Sequence, residues 1–266
     1  MNMNVVLGQT PSAWPVTHDL SNKPKAFKLA YGPQGAFPDD IAPAAPLDIS
    51  PLPYRGRRPT KLRSRASCSI QAVLPDLATG KPRLYGCESQ LELHNLALTL
   101  VDPEVQQVIE QHGPIPFRDA DGLLRSHFFD LLILYKDGRR VGVAVKPEER
   151  LISGKVLRDL RQLRATMPLG LLDEVRLVTE HSFLRSKAQN ALMYLRFKMT
   201  PEPEADARFR ETVQATAGAT SIANLIRRSR TGHCGFRAAV RAIFEGHLSQ
   251  VSDGQIDLFT IVEVAR

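Results

Sequence analysis

The chain is expected to fold as an α/β protein, with a mixed β-sheet flanked by helices and a smaller helical domain at its C-terminal end. Three observations predict this. A helical stretch, an apolar hairpin, a second helix and a short apolar strand follow one another between residues 88 and 179, and such a succession builds a sheet with helices packed on it. Beyond residue 206 the rhythm changes to three short helices and a hairpin. The chain has 266 residues and 43% hydrophobic content, enough to bury a full core and best divided into two domains.

The elements follow in order. Residues 1–53 carry many prolines, from Pro11 and Pro15 to Pro51 and Pro53, and no apolar period; they read as an irregular arm. Arg55, Arg57, Arg58, Lys61, Arg63 and Arg65 follow without an intervening acid. With a formal net charge of +7 and a pI near 9.5, this run suits a polyanion, and Arg55, Arg57, Arg58 and Arg63 are candidates for tracking DNA phosphates. Residues 69–84 form a hairpin or a strand with a turn at 78–81. In residues 88–101, Leu93, Leu96, Ala97 and Leu100 fall on one helical stripe, and Glu88, Glu92, Asn95 and Thr99 on a polar one. Asp102-Pro103 ends that helix. A strand is expected at 108–111 and a turn at 119–122.

Residues 126–146 are the centre of the chain. They read as two strands joined by a tight turn, with Asp130 in the first and Lys146 closing the second. Burying a charge costs several kcal/mol unless it is paired or binds a metal, so the register matters. A two-residue Asp137-Gly138 loop would send Asp130 and Lys146 to opposite faces. A three-residue loop, Lys136-Asp137-Gly138 with Gly138 left-handed, shifts the register by one. Asp130 then faces Ala144 with Lys146 on the diagonal. Phe129, Leu131, Ile133, Tyr135, Val141, Val143 and Val145 would share the apolar face, and Asp130, Gly142, Ala144 and Lys146 the other. The bulged register is preferred because it gathers both charges. Pro147 ends the second strand.

Residues 155–166 form a strongly basic helix with Leu157, Leu160 and Leu163 inward, 175–179 a short strand, and 186–198 another helix. Thr200 to Asp206, with two prolines and three acids, reads as a linker, which places a catalytic domain at 54–200 and a second domain at 201–266. Helices at 207–216, 222–228 and 234–245 and a hairpin of 248–251 with 258–264 describe a winged helix-turn-helix, whose recognition helix would present Arg237 and Arg241 to DNA. Cys68, Cys87 and Cys234 are scattered without zinc spacing, which favours a reducing compartment, the cytoplasm. No apolar run reaches the ~20 residues that span a bilayer, and the N-terminus lacks a secretory pattern.

The chemistry follows from the charged groups. A metal-dependent nuclease needs oxygen ligands around a divalent ion, a cation for the developing charge and an attacking water. Asp130 and the Val145 carbonyl can ligate, Glu92 can add a carboxylate from the preceding helix, and Lys146 can supply the cation. Asp130 followed by Lys146 across a hairpin, after a helical glutamate, resembles the PD-(D/E)xK nuclease superfamily, whose core is restriction-endonuclease-like. The fragments Ser89-Gln90-Leu91-Glu92-Leu93, Val108-Ile109-Glu110-Gln111, Phe129-Asp130-Leu131-Leu132, Lys136-Asp137-Gly138 and Val145-Lys146-Pro147 are similar in order and spacing to the TnsA family over about residues 86–180.

That resemblance implies a Mg²⁺-dependent endonuclease subunit (Mn²⁺ substituting) that cuts the non-transferred strand at transposon ends, beside a TnsB-like transposase and a TnsC-like ATPase regulator. It places the catalytic roles on Glu92, Asp130 and Lys146. The family has glutamine where this chain has Ala144, which offers no ligand, so Glu92, Asp130 and Val145 must suffice or Glu148 or Glu149 must reach back. A stand-alone nuclease of restriction or repair, and a DNA-binding assembly subunit with an inactive core, are the alternative readings.

Overall fold

The computed structural model describes residues 50–58 and 68–265. The expectations for residues 1–49 and for Lys61, Arg63 and Arg65 lie outside the described residues. β1 (Ile70–Pro75) and β2 (Pro82–Cys87) form an antiparallel hairpin. Its turn is held by Asp76, whose carboxylate accepts from the Thr79 amide and hydroxyl and pairs with the buried Arg83 guanidinium at 2.7 Å. The residues just ahead of the basic run dock on this hairpin. The Leu52 amide donates to the Pro82 carbonyl, and the Leu84 amide to the Leu52 carbonyl.

The expected helix is α1 (Gln90–Leu100). Leu96, Ala97 and Leu100 are buried as the pattern requires, but the supposed polar stripe is buried as well, at Glu92, Asn95 and Thr99. The strand expected at 108–111 is far longer. β3 (Val105–Arg118) runs 14 residues through Pro114 and Pro116 and pairs with β4 (Leu124–Tyr135). β5 (Arg140–Val145) pairs antiparallel with β4 and parallel with β6 (Glu174–Val178), giving a mixed sheet of order β3-β4-β5-β6. α2 (Lys155–Thr166) makes the crossover between β5 and β6, and α3 (Arg185–Lys198) follows.

The central register is the bulged one. Leu131 faces Val143 and Ile133 faces Val141; the ladder ends there, and Asp130 does not share a face with Ala144 as expected, since Ala144 is buried on the α2 side while Asp130 lines the cleft with Glu92 of α1. The loop is Lys136-Asp137-Gly138, with Gly138 at φ +90° and its amide donating to the Tyr135 carbonyl. Helices cover both faces of the sheet. Leu131, Ile133, Tyr135, Val141, Val143 and Val145 pack with Leu96, Ala97 and Leu100 of α1 and with Ala191 and Leu195 of α3. Leu132 and Ala144 pack with Leu160 and Leu163 of α2 and with Leu172. A fully buried leucine such as Leu163 stabilises by roughly 2 kcal/mol. Phe129 departs from the expected alternation. It joins the α2-side cluster and lies against Gly142, where an added Cβ would meet its ring at 2.9 Å. The break falls where β4 runs beside Gln111, a β3 residue at φ +46°.

The C-terminal region holds α4 (Pro203–Gln214), α5 (Ile222–Ser229), α6 (Gly235–Phe244) and a three-stranded antiparallel sheet of order β7-β9-β8: β7 (Thr220–Ser221), β8 (Leu248–Gln250) and β9 (Ile261–Val264). The expected linker is corrected here. Pro203 starts α4, where a missing N–H costs nothing. The acids of that stretch neutralise arginines. Arg241, with 5% of its side chain exposed, pairs with Asp206 at 2.7 Å and Glu202 at 3.2 Å, and donates to the Phe197 carbonyl. Arg237 pairs with Glu202 through Nε at 2.9 Å. These two arginines therefore tie α6 to the start of α4; Arg241 is buried in that clamp, while Arg237 keeps part of its side chain exposed. α3 serves both cores. Its Ala191 and Leu195 face the large sheet, while Tyr194 stacks on Phe244 of α6 at 4.5 Å between ring centres.

Arg241→Ala removes the guanidinium that pairs with Asp206 at a partly buried junction. Asp206 is the carboxylate left unpaired, since Glu202 keeps Arg237; the loss should lower unfolding free energy by about 2 kcal/mol in a urea titration, while Glu202→Ala, at a more exposed carboxylate, should cost less.

Candidate active site

The β4–β5 ladder stops at Leu131 and Val143. In its alternation the next amide to bond across would be that of Val145. Instead, that N–H donates to the Asp130 carboxylate, N to Oδ2 2.7 Å. The side chain thus replaces a main-chain acceptor where the strands part. Lys146 Nζ donates to the same Oδ2 at 2.8 Å and to the Val145 carbonyl at 2.9 Å. On the far side, the Lys146 amide donates to the Val178 carbonyl, so the β5 backbone is held from both flanks.

Glu92 reaches the site from the first turn of α1. Ser89 is the N-cap: its hydroxyl oxygen accepts from the Glu92 amide at 3.1 Å and its O–H donates to Glu92 Oε1. Glu92 Oε2 accepts from the Glu88 amide at 2.8 Å. This is a variant of the capping box, with the Glu88 amide in place of the N-cap's own; its signal in the sequence is Ser89-Gln90-Leu91-Glu92. Burial and then the Asp130 charge push the Glu92 carboxyl up to about 7, against the lowering effect of the cap bonds and Lys146.

Glu92, Asp130, Val145 and Lys146 line one cleft of about 750 Å³, with Arg58, Glu88, His127, Phe128 and Arg150 on its walls. The four groups singled out from the sequence therefore share one hollow. Arg58 adds a cation: it donates to Gln111 Oε1, pairs with Glu88 at 2.9 Å and lies 5.2 Å over the Phe128 ring. His127 was not chosen as a site residue. Its ring packs edge-on to Phe129 at 4.8 Å, and burial, with help from Lys146, lowers its pKa. Its aromatic neighbours mark it as a packed wall.

The remaining candidates lie elsewhere. Arg55 pairs with Asp76 at 3.3 Å, and Arg57 is exposed. Arg237 and Arg241 are in the α4–α6 clamp. Ala144 is fully buried among apolar side chains and does not line the cleft, so a longer polar residue there would enter the core. Glu148 does not reach back to the site. It turns towards β6, its amide donating to Glu180 Oε2 and its carboxylate meeting His181 Nε2 at 2.9 Å. These three offer ligand atoms within 4.8 Å of one another, all on exposed side chains. A second hollow of about 260 Å³, lined by Asn95, Thr99, Asp102, Tyr135 and Arg176 among others, has one carboxylate and no lysine.

The donor set suits a hard divalent cation. Asp130 Oδ2 and the Val145 carbonyl already share one positive group, the Lys146 ammonium, and the Glu92 carboxylate faces the same space. Comparison with known protein families and with characterised proteins gives no match to this sequence. No helix among the described residues is long and apolar enough to cross a membrane.

The folded Glu92 carboxyl keeps its proton to about 7, whereas an unfolded one releases it near the ordinary value. The folded state therefore binds more protons within that window, and stability falls as pH rises through it. Glu92→Gln keeps a cap acceptor and removes this ionisation. Urea titrations at about pH 5 and pH 8 should show the variant gaining about 2 kcal/mol relative to the parent at the higher pH.

Proposed function

We propose that the chain is a metal-dependent DNA endonuclease with Glu92, Asp130 and Lys146 as its catalytic residues. The observation that carries this reading is the meeting of Asp130, the Val145 carbonyl and Lys146 in one cleft that Glu92 also lines. Asp130, Glu92 and the Val145 carbonyl would hold Mg²⁺, or Mn²⁺ in its place. The ion, when bound, would polarise a phosphodiester and acidify a water.

The chain's own groups supply the rest. Lys146 can leave the two oxygens it bridges and turn its ammonium to the charge that builds on the phosphate. Glu92, protonated up to about pH 7, must lose its proton before it can ligate. Arg58 stands at the cleft wall as a phosphate contact.

The mixed sheet with helices on both faces supports a restriction-endonuclease-like core. The order α4, β7, α5, α6, β8, β9, with β9 central in the small sheet, supports a winged helix. Its DNA contacts would have to come from residues other than the buried Arg241. The TnsA resemblance extends the reading to a subunit that cuts the non-transferred strand at transposon ends, with a TnsB-like transposase and a TnsC-like regulator. Its support is the order of sequence fragments; a stand-alone nuclease would use the same cleft.

Asp130→Asn should abolish duplex cleavage and weaken Mn²⁺ binding by more than about tenfold in calorimetry. Lys146→Met should abolish cleavage yet retain Mn²⁺ binding, because the ammonium holds the oxygens a metal would use. In the parent, affinity should rise with pH through about 7, the range in which Glu92 loses its proton, and level above it. Cleavage by Asp130→Asn at the parent rate would remove the reading.

A further inference from the structure

We propose that helix α2 is the surface on which the backbone of duplex DNA lies as it enters the cleft. This rests on the nuclease reading for the identity of the substrate and adds the place of its phosphates. Lys155, Arg158, Arg161 and Arg164 recur at every third position of α2, and all four are exposed. A three-residue step turns the helix by about −60°, so the four cations form a diagonal band that sweeps about 180° around the exposed half of the helix from Lys155 to Arg164, its middle opposite the buried Leu160 and Leu163.

Among the described residues, none of the four has a carboxylate within 4.0 Å. The acid on the helix, Asp159, is half-buried, and its field acts on Arg125 and His127 of the neighbouring strand. A helix face selected only for solubility mixes signs at three- and four-residue spacing. Here like charges repeat, which destabilises the free helix slightly and favours an external anion.

The band begins at the cleft. Val156, in the first turn of α2, and Arg150, just before it, line the same hollow as Asp130 and Lys146. From Lys155 to Arg164 the helix rises about 14 Å. That matches the axial span of about four phosphates of one strand of duplex DNA.

The test uses the full-length protein and a labelled duplex of about 30 base pairs, in EDTA so that cleavage plays no part. Fluorescence anisotropy from about 50 to about 200 mM KCl yields the slope of log K against log salt. The variant Lys155→Ala/Arg158→Ala/Arg161→Ala/Arg164→Ala should flatten that slope by about 3 to 4. A control with the same charge loss, Arg139→Ala/Arg185→Ala/Lys187→Ala/Arg196→Ala, should change it by less than about 1. Arg161→Ala and Arg164→Ala alone should each change it by about 1, which keeps the test valid if the quadruple variant unfolds. An unchanged slope in the α2 variants, or an equal fall in the control, would overturn the proposal. Mn²⁺ calorimetry on the parent separates the two readings: Mn²⁺ binding with no α2 effect leaves the nuclease reading standing, whereas loss of both duplex and Mn²⁺ binding removes both.

Discussion

The site depends on one hydrogen bond, from the Val145 amide to the Asp130 carboxylate. It occurs where β4 and β5 separate, and it satisfies a main-chain donor that a regular ladder would have given to a carbonyl. A carboxylate in that position leaves an anion at the mouth of the gap, and Lys146 answers it. The small residues Gly142 and Ala144 allow the chain to do this, because Phe129 and Leu172 fill the space beside them. Remove the carboxylate and the strand end loses its acceptor as well as its charge.

The second carboxylate obeys a different local rule. Glu92 is held by the N-cap of α1, so the same side chain closes a helix and faces the cleft. Its raised pKa is the cost of bringing it near Asp130 in a poorly solvated place. Ion pairs elsewhere are structural. The Asp76–Arg83 pair fixes the β1–β2 turn, and Glu202 and Asp206 hold α6 through Arg241. Acid and base alone therefore do not mark function. What separates the cleft is that its charges face an open hollow.

Much of the fold was legible because it is periodic. The α1 and α2 helices, the β1–β2 hairpin and the three-residue loop at Lys136-Asp137-Gly138 follow from apolar spacing and turn chemistry. The meeting of Asp130 with Lys146 is expected from the register, but it forms past the end of the ladder, where Asp130 takes the Val145 amide. What was not legible came from tertiary packing. Asn95 and Thr99 look solvent-facing on a helical wheel, but they line a hollow shared with Ile133, Tyr135, Val143 and Phe183. Phe129 leaves its expected side because Gln111 distorts the neighbouring strand. Pro203 reads as a breaker in a linker and is instead a helix start. The acids around it were read as loop residues because their partners, Arg237 and Arg241, lie 35 residues or more away.

The backbone around Lys146 is fastened on each side, to Asp130 through Val145 and to β6 through its own amide. The lysine's aliphatic stem is the part left free to turn. A cation arriving between the Asp130 and Val145 oxygens would need only bond rotations in that stem, with no strand moving. That rotation would proceed at side-chain speed, on the scale of nanoseconds and not of domain motion, so the protein's own rearrangement would not be the slow part of loading.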